Sequence, residues 1–90
     1  MKIVVNRCFG GFRIAKYIEK NYFDKPYYEI ERTNAKLIYL IETLGSDAVS
    51  GPDSKLRIVE IPDTATDWEI SDFDGKESLT YVVDGKLHHA

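Results

Sequence analysis

The chain predicts a small two-layer α+β domain, with an N-terminal strand, two helices and then strands forming a mixed or antiparallel sheet. Three observations carry this. A β-branched apolar run opens the chain at Lys2 to Asn6, helical periodicity recurs in the first half, and alternating runs punctuated by Asp-Gly dipeptides fill the last third. Ninety residues make room for a single domain, residues 1–90, with one modest core. Ile, Leu, Val and Phe supply 25 of them, enough for the chain to offset its ordering entropy.

Lys2 to Asn6 reads as a strand buried on both faces, because nearly every residue is apolar and no alternation marks a wet side. Gly10 and Gly11 end it. From Phe12 the apolar residues fall at Phe12, Ile14, Ala15, Ile18 and Tyr22, which predicts a helix of about ten residues ending near Asn21. Pro26 bars its continuation, and Tyr27, Tyr28 and Ile30 are expected to form a brief edge strand or to line a groove. A second helix is well marked. Thr33 or Asn34 caps its start, Leu37, Ile38, Leu40, Ile41 and Leu44 form its apolar face, and Gly45 supplies a left-handed end. Leu56 to Ile61 alternates as a strand closed by Pro62. If the opening strand and this one are joined through both helices as a crossover, they run parallel and the connection is right-handed. The remaining run, with Asp74-Gly75 and Asp84-Gly85 as hairpin turns, is expected to form an antiparallel meander in which Trp68 and Ile70 alternate with carboxylates. Strand order stays open.

The formal net charge of −3 is unevenly spread. Residues 1–59 hold ten Lys/Arg against seven Asp/Glu, and residues 60–90 hold two against eight. The acidic stretch Glu60 to Glu77 has two readings: a solvated surface that keeps the protein soluble, or a face that attracts a basic partner such as the N-terminal half of a second copy. The same charge argues against direct nucleic-acid binding, despite six tyrosines and a tryptophan able to stack on bases. Apolar runs such as Ile3 to Val5 and Leu37 to Ile41 are too short to span a bilayer, so no membrane partner is expected. A single cysteine and no secretory pattern point to a reduced, cytoplasmic setting.

The candidate chemistry sits in the opening loop. A strand-to-helix turn with glycines can aim backbone N–H groups at an anion, making Gly10 and Gly11 the backbone candidates, Cys8 the candidate nucleophile and Arg7 or Arg13 the anion clamp. Cys8 and Arg13 resemble the cysteine and arginine of protein tyrosine phosphatase loops, but their spacing is one residue shorter, which changes both the N–H count and the direction of the arginine fork. The alternative is structural: glycines for close approach, Phe9 and Phe12 anchoring the helix start, and Cys8 as a small buried filler. His88 and His89 are adjacent and would point to opposite faces of a strand, and Asp72 to Gly75 carries only a fragment of a calcium loop. Neither metal nor other cofactor is expected.

"MKIVVNRCFGGF", "RTNAKLIYLIETLG", "SKLRIVEIPD" and "WEISDFDG", in this order, resemble a family of small uncharacterised bacteriophage and prophage-associated proteins. The resemblance covers most of Met1 to Gly75, fades from Lys76, and departs at Arg13, where the family commonly has a helix-capping serine. It implies a compact intracellular domain but brings no activity with it. The matching positions, Asn6, Arg7, Cys8, Gly10, Gly11, Trp68, Glu69, Asp74 and Gly75, meet in space if the first strand lies beside the hairpin. The leading expectation is a non-enzymatic, self-associating protein-binding module with Arg7, Arg13, Tyr27, Tyr28, Trp68, Asp72 and Asp74 as contact groups. The alternatives are a small anion- or phosphate-binding protein or enzyme using the loop from Cys8 to Arg13, and an acidic decoy that binds a basic host factor.

Overall fold

β1 (Lys2–Asn6) lies at the centre of the molecule, with Ile3, Val4, Val5 and Asn6 all buried. The computed structural model describes all 90 residues and is a small α+β domain. After β1 the order is α1 (Lys16–Ile18), a π-helical turn (Glu19–Phe23), a 3-10 turn (Tyr27–Glu29), α2 (Ala35–Leu44), α3 (Ser46–Val49), β2 (Leu56–Glu60), β3 (Asp67–Phe73), β4 (Lys76–Val83) and β5 (Lys86–His89).

β1 and β2 pair antiparallel, in a register running from Lys2 opposite Glu60 to Asn6 opposite Leu56. The parallel crossover is therefore corrected. The 49 residues between Asn6 and Leu56 contain three short helices and reverse direction, so they close an antiparallel pair instead of carrying the chain back to its starting end. β3, β4 and β5 form a separate antiparallel meander in sequence order, so residues 76–90 extend this sheet. Its two-residue turns have positive φ at both central positions, 54° and 91° at Asp74 and Gly75, 52° and 74° at Asp84 and Gly85. That is the geometry whose twist matches the flanking strands, and Asp-Gly tolerates it.

Strand alternation divides the core into two. Val4 and Leu56 face the helices, packing with Phe12, Ile14, Ile18, Ile30, Leu37, Leu40, Ile41 and Val49. Ile3 and Val5 face the meander, packing with Ile61 and Leu79, with Trp68, Ile70 and Tyr81 at the margin. The β1–β2 ribbon is thus covered on one side by helices and on the other by a sheet.

The first helix differs from its expected span. Phe12 lies outside any helix, Ile14 forms an antiparallel bridge with Ser50, and helical structure begins only at Lys16. Hydrogen bonds from Ala15 N–H to the Val49 carbonyl and from Gly51 N–H to the Arg13 carbonyl, 2.9 and 3.0 Å, hold this segment against the later loop. Tyr27 to Glu29 turn as 3-10 rather than forming an edge strand, because the Glu19 carboxylate accepts the Tyr27 N–H. α2 behaves as its caps require: the Asn34 side chain accepts the Leu37 N–H at 3.0 Å, and Gly45 ends it at φ 92° and ψ 152°, outside the left-handed helical region yet accessible to glycine.

Gly75 and Gly85 occupy equivalent turn positions in different surroundings. A β-carbon on Gly85 meets open space, whereas one on Gly75 would collide with the Phe9 carbonyl oxygen and the Gly11 nitrogen. Gly85→Ala is expected to cost about 1 kcal/mol through its positive φ alone. Gly75→Ala should cost about 1–3 kcal/mol more through overpacking. Urea denaturation of the two variants checks the ordering.

Candidate functional site

The opening loop is closed by side chains that the strand pattern leaves without ladder partners. Ile61 N–H bonds the Met1 carbonyl and Arg7 N–H bonds the Lys55 carbonyl, each extending the β1–β2 ladder. Residues 1, 3, 5 and 7 therefore direct their backbone groups at β2, and Val4 and Asn6 direct theirs at the opposite edge. No strand lies there. The Arg32 carbonyl accepts the Val4 N–H at 2.8 Å, the Glu77 carboxylate accepts the Asn6 N–H at 2.8 Å, and Arg32 Nη1 reaches the Val4 carbonyl at 3.3 Å.

Arg32 and Glu77 also bind each other in a two-pronged pair, Nη1 to Oε1 at 2.6 Å and Nη2 to Oε2 at 2.8 Å. The guanidinium lies over the Phe12 ring, 3.6 Å from its centroid. Glu77 is inside because it is in phase with Leu79 on the inner face of β4, and at 5% exposure its carboxylate depends on these donors. Arg7 adds a contact from Nη1 to the Glu77 carbonyl at 3.3 Å.

Asn6 completes the closure. Its fully buried amide donates to the carbonyls of Cys8 and Gly75, both at 2.6 Å, and accepts the N–H groups of Lys55 at 2.8 Å and Cys8 at 3.3 Å. The opening loop, the start of β2 and the Asp74-Gly75 turn thus meet at one side chain, with all four of its bonding sites used.

The candidate residues fall into separate groups. Asn6, Arg7, Gly11 and Gly75 meet as the hairpin-adjacent arrangement predicts. Trp68 and Glu69 do not join them, lying toward the far end of β3 opposite Tyr81 and Thr80. Asp72 accepts the Gly75 N–H at 2.7 Å and shares a cleft of about 340 Å³ with Tyr27, Tyr28, Arg32 and Glu77. Asp74 stands exposed in the turn. Arg13 lines a larger cleft of about 780 Å³ with Lys16, Glu19, Tyr27 and Asp53, its guanidinium 5.7 Å from the Tyr27 ring centroid.

Cys8 is half-buried and lines neither cleft. A β-carbon on Gly10 would collide with the Asp53 carbonyl, and Gly75 presses on Gly11, so the space where an anion would meet these N–H groups is bordered by the protein's own backbone. Phe9, expected to anchor the helix, is instead 60% exposed, because the loop turns it toward Lys76, whose ammonium lies 5.4 Å from its ring centroid. No group of three His, Cys, Asp or Glu side chains is placed to hold a metal ion, and no helix is long and apolar enough to cross a membrane.

Arg32 and Glu77 were not singled out by sequence reasoning. Glu77 did carry a signal, as a carboxylate in phase with Leu79 and Tyr81. Arg32 carried none, because its role depends on a contact across 45 residues. Comparison of the chain with protein-family models, curated proteins and solved structures gives no match.

Arg32→Ala leaves a buried carboxylate short of its counter-ion and is expected to destabilise the fold by about 3–5 kcal/mol. Glu77→Gln keeps an acceptor for the Asn6 N–H and should cost less. Equal losses in urea denaturation would show that the ion pair, rather than the bond from the Asn6 backbone N–H, dominates.

Proposed function

We propose that the protein is a non-enzymatic, self-associating binding module. The observation that carries this reading is the separation of unpaired charge. Arg13, Lys16, Lys20 and Lys25 surround the clefts beside α1 and engage no carboxylate. Asp67, Glu69, Asp72 and Asp74 line β3 and its turn and engage no cation. Opposite charges left apart within one chain are available to pair between chains. Exposed rings, Tyr28 at 75% and Phe73 at 76%, add apolar area to the same surfaces.

Of the contact groups expected, Arg13, Tyr28, Asp72 and Asp74 are exposed and suit this role. Arg7, Tyr27 and Trp68 are half-buried and support those surfaces from beneath. The acidic face also suits a basic host or phage protein as a further partner. The resemblance of the opening and hairpin blocks to phage and prophage proteins supports the same setting, a cytoplasmic adaptor encoded by a phage or an integrated phage genome.

A second reading is an anion site, favoured by one observation: the Arg13 guanidinium is free of carboxylates and positioned over Tyr27. Titration with inorganic phosphate, followed by amide shifts at Arg13, Lys16 and Tyr27, separates it from the first.

Light scattering of the full chain at low salt is expected to give a mass above one chain that falls as concentration is lowered or salt is raised. A single-chain mass up to millimolar concentration would overturn the reading.

A further inference from the structure

The meander is two-faced. Its inner face, with Trp68, Ile70, Leu79 and Tyr81, packs on the β1–β2 ribbon. By alternation and by the pairing register, its outer face presents Phe73 with Lys76, then Ser71 with Ser78, then Glu69 with Thr80 and His89, then Asp67 with Val82 and Leu87. Nothing in the chain covers this outer face. Phe73 and Leu87 are 76% and 63% exposed, at opposite ends of it.

The two ends are chemically complementary. The turn end has a cation, Lys76, paired in register with Phe73 and with its ammonium 5.4 Å from the Phe9 ring centroid. The far end has two carboxylates, Asp67 and Glu69, beside the aliphatic Val82 and Leu87. Between them lies the Ser71 and Ser78 pair, small enough for two backbones to approach. A two-fold rotation about an axis through that pair turns the face end for end. The Phe73–Lys76 level of one copy then lies over the Glu69–Thr80 level of the other, which brings Lys76 within reach of Glu69. Phe73 and Asp67 are six residues apart, about 20 Å along a strand, which is within the span of aligned sheets packed at about 10 Å separation. An acidic partner would be repelled at the far end, and a purely basic one at Lys76, whereas a second copy matches both.

We infer that the outer face of β3–β4–β5 is the self-association surface, joining two copies face to face across a two-fold axis at Ser71 and Ser78. This rests on the reading of the protein as self-associating and specifies where the second copy sits. Symmetry makes each contact occur twice, so a single charge reversal acts at two places.

The test compares the full chain with Lys76→Glu, Glu69→Lys and the combined variant by sedimentation equilibrium, with circular dichroism to confirm that each is folded. These side chains point to solvent and bind none of the buried network. Each single reversal is expected to weaken dimerisation at least about tenfold, and the combined variant, with the charges exchanged, to recover most of it. Phe73→Asp should also give monomers. If the parent chain dimerises and neither the reversals nor Phe73→Asp alters its dissociation constant, this surface is wrong and self-association uses another. If the parent chain is monomeric, both this inference and the reading beneath it fail.

Discussion

A strand buried on both faces cannot leave its second edge bare, and the fold is arranged around that constraint. β1 has one neighbouring strand only, yet its backbone N–H groups at Val4 and Asn6 lie where water does not reach. Each would cost about 1–3 kcal/mol unpaired. A third strand is the usual remedy. Here the Arg32 carbonyl, the Arg32 guanidinium and the Glu77 carboxylate substitute for it, and the two side chains neutralise each other while doing so. Because Glu77 belongs to β4 and Arg32 to the segment before α2, the same contacts fix the meander and the helices to the strand between them. The two sheets share no ladder, so apart from the packing of Ile3, Val5 and Leu79 this cluster is the main polar link between them.

That arrangement accounts for the opening loop. Its glycines resemble an anion cradle because both an anion cradle and a tight junction need backbone without side chains. The distinction lies in what approaches. At Gly10 it is the Asp53 backbone, at Gly75 the backbone of Phe9 and Gly11, while Gly11 itself is needed for its φ of 95°, and the buried Asn6 amide holds the three segments together. Cys8 contributes its backbone N–H and carbonyl to this junction, while its thiol lines neither cleft.

Features decided locally were legible in the sequence. Both Asp-Gly turns, the Asn34 cap and the central apolar strand follow from backbone preferences and alternation, and all are present. Features decided by remote partners were not. Phe12 and Ile14 fit a helical stripe, but pairing of residues 13–15 with residues 49–51 keeps this segment out of the helix. The 3-10 turn at Tyr27 is held by the Glu19 carboxylate reaching forward eight residues. Strand direction was ambiguous for another reason: a connection of 49 residues is long enough to return a strand parallel or antiparallel, and only the packing of its helices decides. Of the site, the meeting of Asn6, Arg7, Gly11 and Gly75 was expected only on the condition that the first strand lies beside the hairpin, whereas Arg32 was hidden by its distance from Glu77 along the chain.

Lys76 and Glu77 are consecutive, and strand alternation gives them opposite tasks. Glu77 turns inward, where desolvation makes an unpaired charge costly and a fixed partner is required. Lys76 turns outward, where solvation makes a lone charge cheap and leaves it available to another chain. The carboxylates of β3 follow the same logic. Asp67 and Glu69 lie in phase with Lys76 through the register of the hairpin and out of phase with the core. A hairpin that must hold its inner ion pair to position β1 therefore also holds its outer charges in a fixed pattern. Rigidity required by the fold on one face becomes preorganisation on the other, which would lower the ordering entropy of the self-association proposed above.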